Sequence, residues 1–292
     1  MKRIALVAGG VAVAALAATV IPTAAKADLS YGAGTTEISS PIVVPAGGVL
    51  SGLGVGQTVL TAAPGYSGPI VVTMPGASGV TIKNLTVDGE GRVGTGISLA
   101  AADGLDIEDV EVIGTMTTGI SHVGPASGQR WTNITVHDCT GWGVKNVGDV
   151  QATYLNVKAH ECGSGLWLGH DNVVATGLTA ANNADGDGIY LTGNNAQITG
   201  IRATGNGGTG IHVTGTGGAG VSWLAQSDRV NDVWFSSTAS GWVVTGLLAG
   251  HNPCWLGPYG PARQTPLRRD VPVQFTGVRV LPQNTVGCTQ PK

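Results

Sequence analysis

The chain has 292 residues and a formal net charge of −3; glycine supplies 48 of them, while charged residues make up 11% and aromatic residues 5%. Collagen is excluded because glycine does not recur at every third position, and disorder is excluded by apolar runs throughout with so little charge. A helical bundle is disfavoured because glycine and β-branched residues form helices poorly, which leaves an all-β chain with many tight turns.

The first segment reads as a targeting sequence. Lys2 and Arg3 precede an apolar run over residues 4–21, Pro22 ends it, and Ala25-Lys26-Ala27 has the pattern of an export cleavage site. Residues 1–27 are expected to be a signal peptide and residues 28–292 a secreted domain, free of the membrane once the signal is removed. A retained anchor is the alternative, since the run is nearly long enough to span a bilayer. Loss of Lys2, Arg3 and Lys26 takes the net charge from −3 to −6, which makes nucleic acid a poor partner.

Further along, one phrase recurs. Apolar pairs two residues apart occur at Leu85/Val87, Val110/Val112, Ile134/Val136, Leu155/Val157, Leu178/Ala180 and Ile201/Ala203, then at Leu224, Leu247/Ala249 and Val278/Val280. A second phrase, usually glycine followed by apolar residues, keeps the same register at Ile97/Leu99, Ile120, Val144, Leu166/Leu168, Ile189/Leu191, Ile211/Val213 and Val233/Phe235. The period is roughly 23 residues, too short for a propeller blade, and the leucine-rich consensus is missing. A β-solenoid remains. Each repeat is one coil, alternate side chains enter a narrow core, and like strands stack in parallel about 4.8 Å apart. With one or two coils around Ile42 and Leu60, about ten coils are expected.

The strings "GVTIKNLTVDGEG", "GDGIYLTGNNAQITGIRATGNGGTGIHVTG" and "IVVPAGGVLSGLGVGQTVL" are similar to the right-handed parallel β-helix proteins of the pectin-lyase-like superfamily. The resemblance spans residues 36–282. It implies an all-β, single-stranded right-handed parallel β-helix. It also implies dealings with polysaccharide, because pectate lyases, polygalacturonases, alginate epimerases, phage tailspikes and non-catalytic surface proteins share this fold. Asn183 and Asn206, each five residues after a strand anchor, resemble the internal asparagine ladder of such helices; plain corner turns are the alternative. Of the polygalacturonase signature only Asp187-Gly188-Ile189 is matched. Gly207-Gly208-Thr209 stands where the paired Asp belongs, and neither Gly-His-Gly nor Arg-Ile-Lys occurs. His170-Asp171 shares only the last two residues of the alginate epimerase motif.

Aligning the coils turns the sequence into columns. The outward residue of the second strand reads Ser98, Ser121, Lys145, Trp167, Tyr190, His212 and Trp234. Exposed rings in line suit the flat faces of sugars, so Lys145, Trp167, Tyr190, His212 and Trp234 are the candidate saccharide contacts. The loop before that strand is expected to carry His137 and Asp138, then Lys158, His160 and Glu161, then Asp185 and Asp187. Asp138, Lys158, His160, Glu161, Asp185 and Asp187 are the candidate catalytic groups, because paired carboxylates can act as acid and base in glycoside hydrolysis. Alternatively Asp185, Asp187 and Glu161 can hold calcium against an acidic sugar while Lys or His takes a proton in β-elimination. Calcium is the one cofactor this chemistry admits. Asp88, Glu90 and Arg92 read as a structural corner, Asp106, Glu108, Asp109 and Glu111 as a solvated face, and His122 and Asn146 as hydrogen-bonded core polar groups.

Four cysteines in an exported chain imply two disulfides. Cys139 and Cys162 fall at like positions of successive coils, within reach of a bridge at that spacing. The pairs are therefore expected to be Cys139–Cys162 and Cys254–Cys288, the second closing a C-terminal cap over about 250–292. Trp255 and Tyr259 read as packing within that cap. The chain is expected to be a polysaccharide-active lyase or glycosidase. The rival class is a non-catalytic surface or virion-associated adhesion module, and a homotrimer is an assembly that spike-like helices adopt.

Overall fold

The computed structural model describes residues 28–100, 102–148, 151–226, 228–250 and 265–281. The signal peptide, Cys254, Cys288, Trp255 and Tyr259 lie outside the described residues. Those described contain no helix. Parallel strands build two sheets, of fourteen and ten strands. Each regular coil pairs one long strand with one short strand. In order these are Thr81–Asp88 with Thr95–Leu99, Asp106–Thr115 with Thr118–Val123, Gln129–Cys139 with Trp142–Val147, and Ala152–His160 with Ser164–Gly169. Val174–Ala181 with Ile189–Leu191, Gln197–Thr204 with Ile211–Val213, Ala219–Gln226 with Asn231–Phe235, and Val243–Gly250 with Thr265–Arg269 follow. Earlier coils around Ile42 and Leu60, both at the core, bring the solenoid to about ten turns.

The long strand is long because it bends without breaking. In successive coils one residue turns the chain with a positive φ: Asn84, Asp109, Asn133, Asn156, Gly177, Gly200, Ser222 and Gly246. Asn, Asp and Gly tolerate this left-handed region, and Ser222 is the one exception to that set. Three successive bends are tied together through side chains. Asn133 Nδ2 donates to Asp109 Oδ1 (2.9 Å) and Asn156 Nδ2 donates to Asn133 Oδ1 (3.1 Å).

The same bend corrects two anchor positions. In register, Ile134 pairs with Val157, Ile201 with Trp223, and Trp223 with Leu247. The inward pairs are therefore Val157/Ala159 and Trp223/Ala225. Leu155 lies before the bend and is 42% exposed, whereas Val157 and Trp223 are buried. The short-strand register agrees at every position read from the repeat, from Ile97 through Ile120, Val144, Leu166, Ile189 and Ile211 to Val233. Glycine precedes all of these residues but Val233, which follows Asp232, and it does so for a steric reason. A Cβ on Gly165 would stand 2.1 Å from the Gly188 carbonyl oxygen and 2.9 Å from Ala180 Cβ.

At the corner after the long strand runs an inner column. Cys139 and Cys162 are joined by a disulfide with their Cα atoms 4.4 Å apart. Asn183 continues the column and accepts the Cys162 N–H (3.1 Å). Asn183 Nδ2 donates to Asn206 Oδ1 (2.7 Å), and Asn206 Nδ2 donates to Asp228 Oδ1 (2.7 Å). All three side chains are fully buried, so the asparagines form an internal ladder and Asp228 ends it. Burial, opposed in part by hydrogen bonds from Asn206, pushes the Asp228 carboxyl well above the usual carboxylate range. Burial likewise lifts Asp232 to about 7. At the opposite corner the buried His122 and Asn146 share Gln129 as a partner, and Asn146 also bonds the Tyr154 hydroxyl.

Candidate functional site

Strand alternation puts one residue of each short strand on the surface, and parallel pairing stacks them. Ser98, Ser121, Lys145, Trp167, Tyr190, His212, Trp234 and Arg268 stand in one column. Trp142, part-exposed at the first position of its strand and three residues before Lys145, joins the row. Its ring lies 5.4 Å from Trp167 at 50° and 6.3 Å from Tyr190 at 22°.

The row has two characters. At one end the rings are closed against each other. His212 lies between Tyr190 (4.7 Å, 28°) and Trp234 (4.1 Å, 12°), and the Arg268 guanidinium sits 4.7 Å over Trp234. Polar ties hold this stack. His212 Nδ1–H donates to Asp187 Oδ2 (2.7 Å), and Asp187 Oδ1 accepts the Thr209 N–H (2.8 Å). Trp234 Nε1 and Arg268 Nε both donate to Asp270. The bond from Trp234, with Arg268 beside it, keeps the Asp270 carboxyl below its ordinary range. At the other end Trp142 and Trp167 are tilted, and the Lys145 ammonium lies 4.7 Å from the Trp167 ring centre.

Residues 70–222 match the family model for the right-handed β-helix region. The chain belongs to the right-handed β-helix family. No curated protein matches it in sequence. Among solved structures it resembles the A-module of the Azotobacter vinelandii mannuronan C-5 epimerase AlgE4. There the identity is 14% and the TM-score 0.52, over 89% of this chain and 90% of that one. It also resembles tailspike protein 2 of the Escherichia coli O157:H7 bacteriophage CAB120 (15% identity, TM-score 0.64), covering 86% of this chain but only 38% of the tailspike. The periplasmic alginate epimerase AlgG is similar at 16% identity and TM-score 0.54, over 87% of this chain and 77% of that one. At such identities the likeness is one of fold.

The acidic and basic candidates of this β-helix do not share one loop. His137, Asp138, Lys158 and His160 belong to the long strands Gln129–Cys139 and Ala152–His160, because those strands run on past their bends. Asp138, His160 and Glu161 meet at the corner. The His137 and His160 rings stack at 4.9 Å and 4°, His137 reaches Asp138 (2.7 Å) and Glu111 (3.4 Å), and His160 reaches Glu161 (3.4 Å). Asp138 and Glu161 carry positive φ, as do Gly114, Asn182 and Gly205 in the same corner column, which gives them a turn-forming role. Lys158 points out from the long-strand sheet, and Asp185 is exposed on the turn before Gly188. Only Asp187 enters the ring row. Among the described residues no three His, Cys, Asp or Glu side chains are grouped to hold a metal ion, so Asp185, Asp187 and Glu161 do not form such a set here.

Sequence reasoning missed Trp142, Arg268, Asp270 and Asp228. Trp142 lies three residues before Lys145, off the two-residue alternation of the strand, so reading the column passed over it. Arg268 and Asp270 depended on knowing that Thr265–Arg269 resumes the short-strand column, and Asp228 on knowing that its turn folds inward.

Proposed function

We propose that the protein is an exported glycan-binding β-helix that lays an extended saccharide along its short-strand face, centred on Trp142, Lys145 and Trp167. The observation that carries this is the opening of the ring row at that end. Tyr190, His212 and Trp234 pack face to face within 4.7 Å, whereas Trp142 and Trp167 meet at 50° beside a lysine, with Trp142 6.3 Å from Tyr190. Tilted aromatic surface flanked by a polar head suits the C–H face of a sugar with its hydroxyls. The mannuronan and alginate epimerases among the structural neighbours accord with the reading. Residues 1–27 direct export and are then removed, leaving residues 28–292 as one domain capped by 250–292. A homotrimer is the assembly to test for.

Recognition is favoured over turnover because Asp187, the candidate acid of the ring row, has both oxygens engaged. The rival reading is a lyase or glycosidase acting through Asp185 and Asp187, with calcium as its cofactor. A polysaccharide panel decides between them, assayed with and without calcium for binding, reducing ends and unsaturated products. Binding without product, weakened about tenfold (about 1.4 kcal/mol) by Trp167→Ala at unchanged melting temperature, is the expected result. Unsaturated or reducing products that vanish in Asp187→Asn would establish the enzyme instead. Affinity indifferent to Trp167→Ala for every bound glycan would remove the ring row from the account.

A further inference from the structure

The outward face of the long-strand sheet changes along the rod. In Thr81–Asp88 and Asp106–Thr115 it carries Lys83, Asp88, Asp106, Glu108 and Glu111. From Ala152–His160 onward the long strands contain no Asp or Glu at all. Within this acid-free stretch Lys158 pairs in register with Thr179, and Thr179 with Arg202. Lys158 and Arg202 are exposed, and neither makes an ion pair among the described residues.

The bend shapes the surface beside them. Positive φ at Asn133, Asn156, Gly177 and Gly200 turns each strand at the same place. A groove lined by Asn133, Thr135, Asn156 and Lys158 results. In the next two coils the bend residue is glycine, so no side chain closes the groove toward Arg202. Two unpaired cations, amides and hydroxyls, with acids only beyond Asn133 and Thr135 at one end (Asp109 and Glu111) and none toward Arg202, complement a chain that repeats both carboxylate and hydroxyl groups. Coils stack about 4.8 Å apart, so the two cations sit about 10 Å apart along the axis. That is close to the reach of two consecutive sugars.

We propose that this groove is a second glycan site, separate from the ring row, and that it takes an acidic polysaccharide bearing uronate or sulfate groups along the rod axis. Lys158 and Arg202 engage acidic groups on alternate sugars. Asn156, Thr135 and Thr179 bond the hydroxyls between them. The proposal does not depend on the ring row, whose neighbourhood holds Asp187 and Asp270.

The test titrates the full mature chain by calorimetry with polygalacturonate oligomers and with the same oligomers after carboxyl reduction. Wild-type protein is expected to bind the acidic form, to lose affinity as salt rises from about 0.05 to about 0.5 M, and to bind the reduced form weakly or not at all. Lys158→Gln with Arg202→Gln should weaken acidic binding about tenfold or more, while Arg130→Gln, the same loss of charge at an exposed position before the bend, leaves it unchanged. The proposal is overturned if the double variant binds like wild type, if the reduced oligomer binds equally well, if Trp167→Ala alone abolishes binding, or if no acidic oligomer binds. All three variants sit on the surface, and a melting curve for each shows that the fold is kept.

Discussion

Two columns climb the same coils, one inside and one outside, and they obey different rules. Inside, each rung must complete its neighbour. Cysteine bonds cysteine, and asparagine donates to asparagine and then to aspartate, because a buried polar group without a partner is costly. Outside, serine, lysine, tryptophan, tyrosine and histidine succeed one another on one register, since water satisfies whatever the next rung does not. The inner column is constrained by stability and the outer one is free to be shaped by a ligand.

That contrast can be broken experimentally. The largest effect belongs to the apolar floor that both columns share. Leu178 is fully buried, and Leu178→Ala should cost about 2–5 kcal/mol in chemical denaturation. A loss below about 1 kcal/mol would mean that the inward register is misassigned. Next comes the ladder itself. Asn206→Ala removes the partner of Asn183 above and Asp228 below, and should cost about 1–3 kcal/mol. A cost no greater than that of exposed Asp185→Ala would place Asn206 in an ordinary turn.

The smallest effect is set by pH. Asp232 titrates near 7 in the folded chain because it is buried, whereas the unfolded chain releases that proton near 4. Between those values the folded state holds a proton that the unfolded state has lost, so stability falls as pH rises through the window and levels off above it. Asp228 acts in the same direction. Melting temperatures from pH 4.5 to 8 should decline by a few degrees, and Asp232→Asn should flatten part of the slope. A melting temperature that climbs over this range in the wild type would contradict the burial of both carboxyls.

Much of the architecture could be read directly from the residues. The short-strand column was readable because glycine precedes the inward residue in six coils, from Ile97 to Ile211, and the spacing carries the register on to Val233, which follows Asp232. The long strand was harder. Leu155 and Leu224 look more like anchors than Val157 and Trp223, and only the bend residue resolves the choice. Asn156 aligns with Asn133 and Asp109, which shifts the inward position to Val157. The polar candidates scattered for the same reason. Strands that continue past a bend carry His137, Lys158 and His160 with them, so residues near in sequence were divided between a corner and a sheet face. Asp228 was hidden because an acidic residue in a turn ordinarily faces water.

The bridge between Cys139 and Cys162 has a kinetic consequence. It spans 23 positions of sequence, about the separation that every coil must close to stack on the one before. Closing such a loop is the entropic toll of each added turn. The bond removes about 3 kcal/mol of that disorder from the unfolded chain at a single place. The strands Gln129–Cys139 and Ala152–His160 are thus held near one another before the rest of the chain collapses, and Trp131 and Tyr154, both buried there, supply large apolar surface at once. In an array where each coil touches only its neighbours, nucleation can occur anywhere in principle. A chain oxidised before it folds is therefore expected to nucleate at this place, with coils added outward on both sides, and a faster refolding rate for the oxidised than for the reduced chain would be its signature.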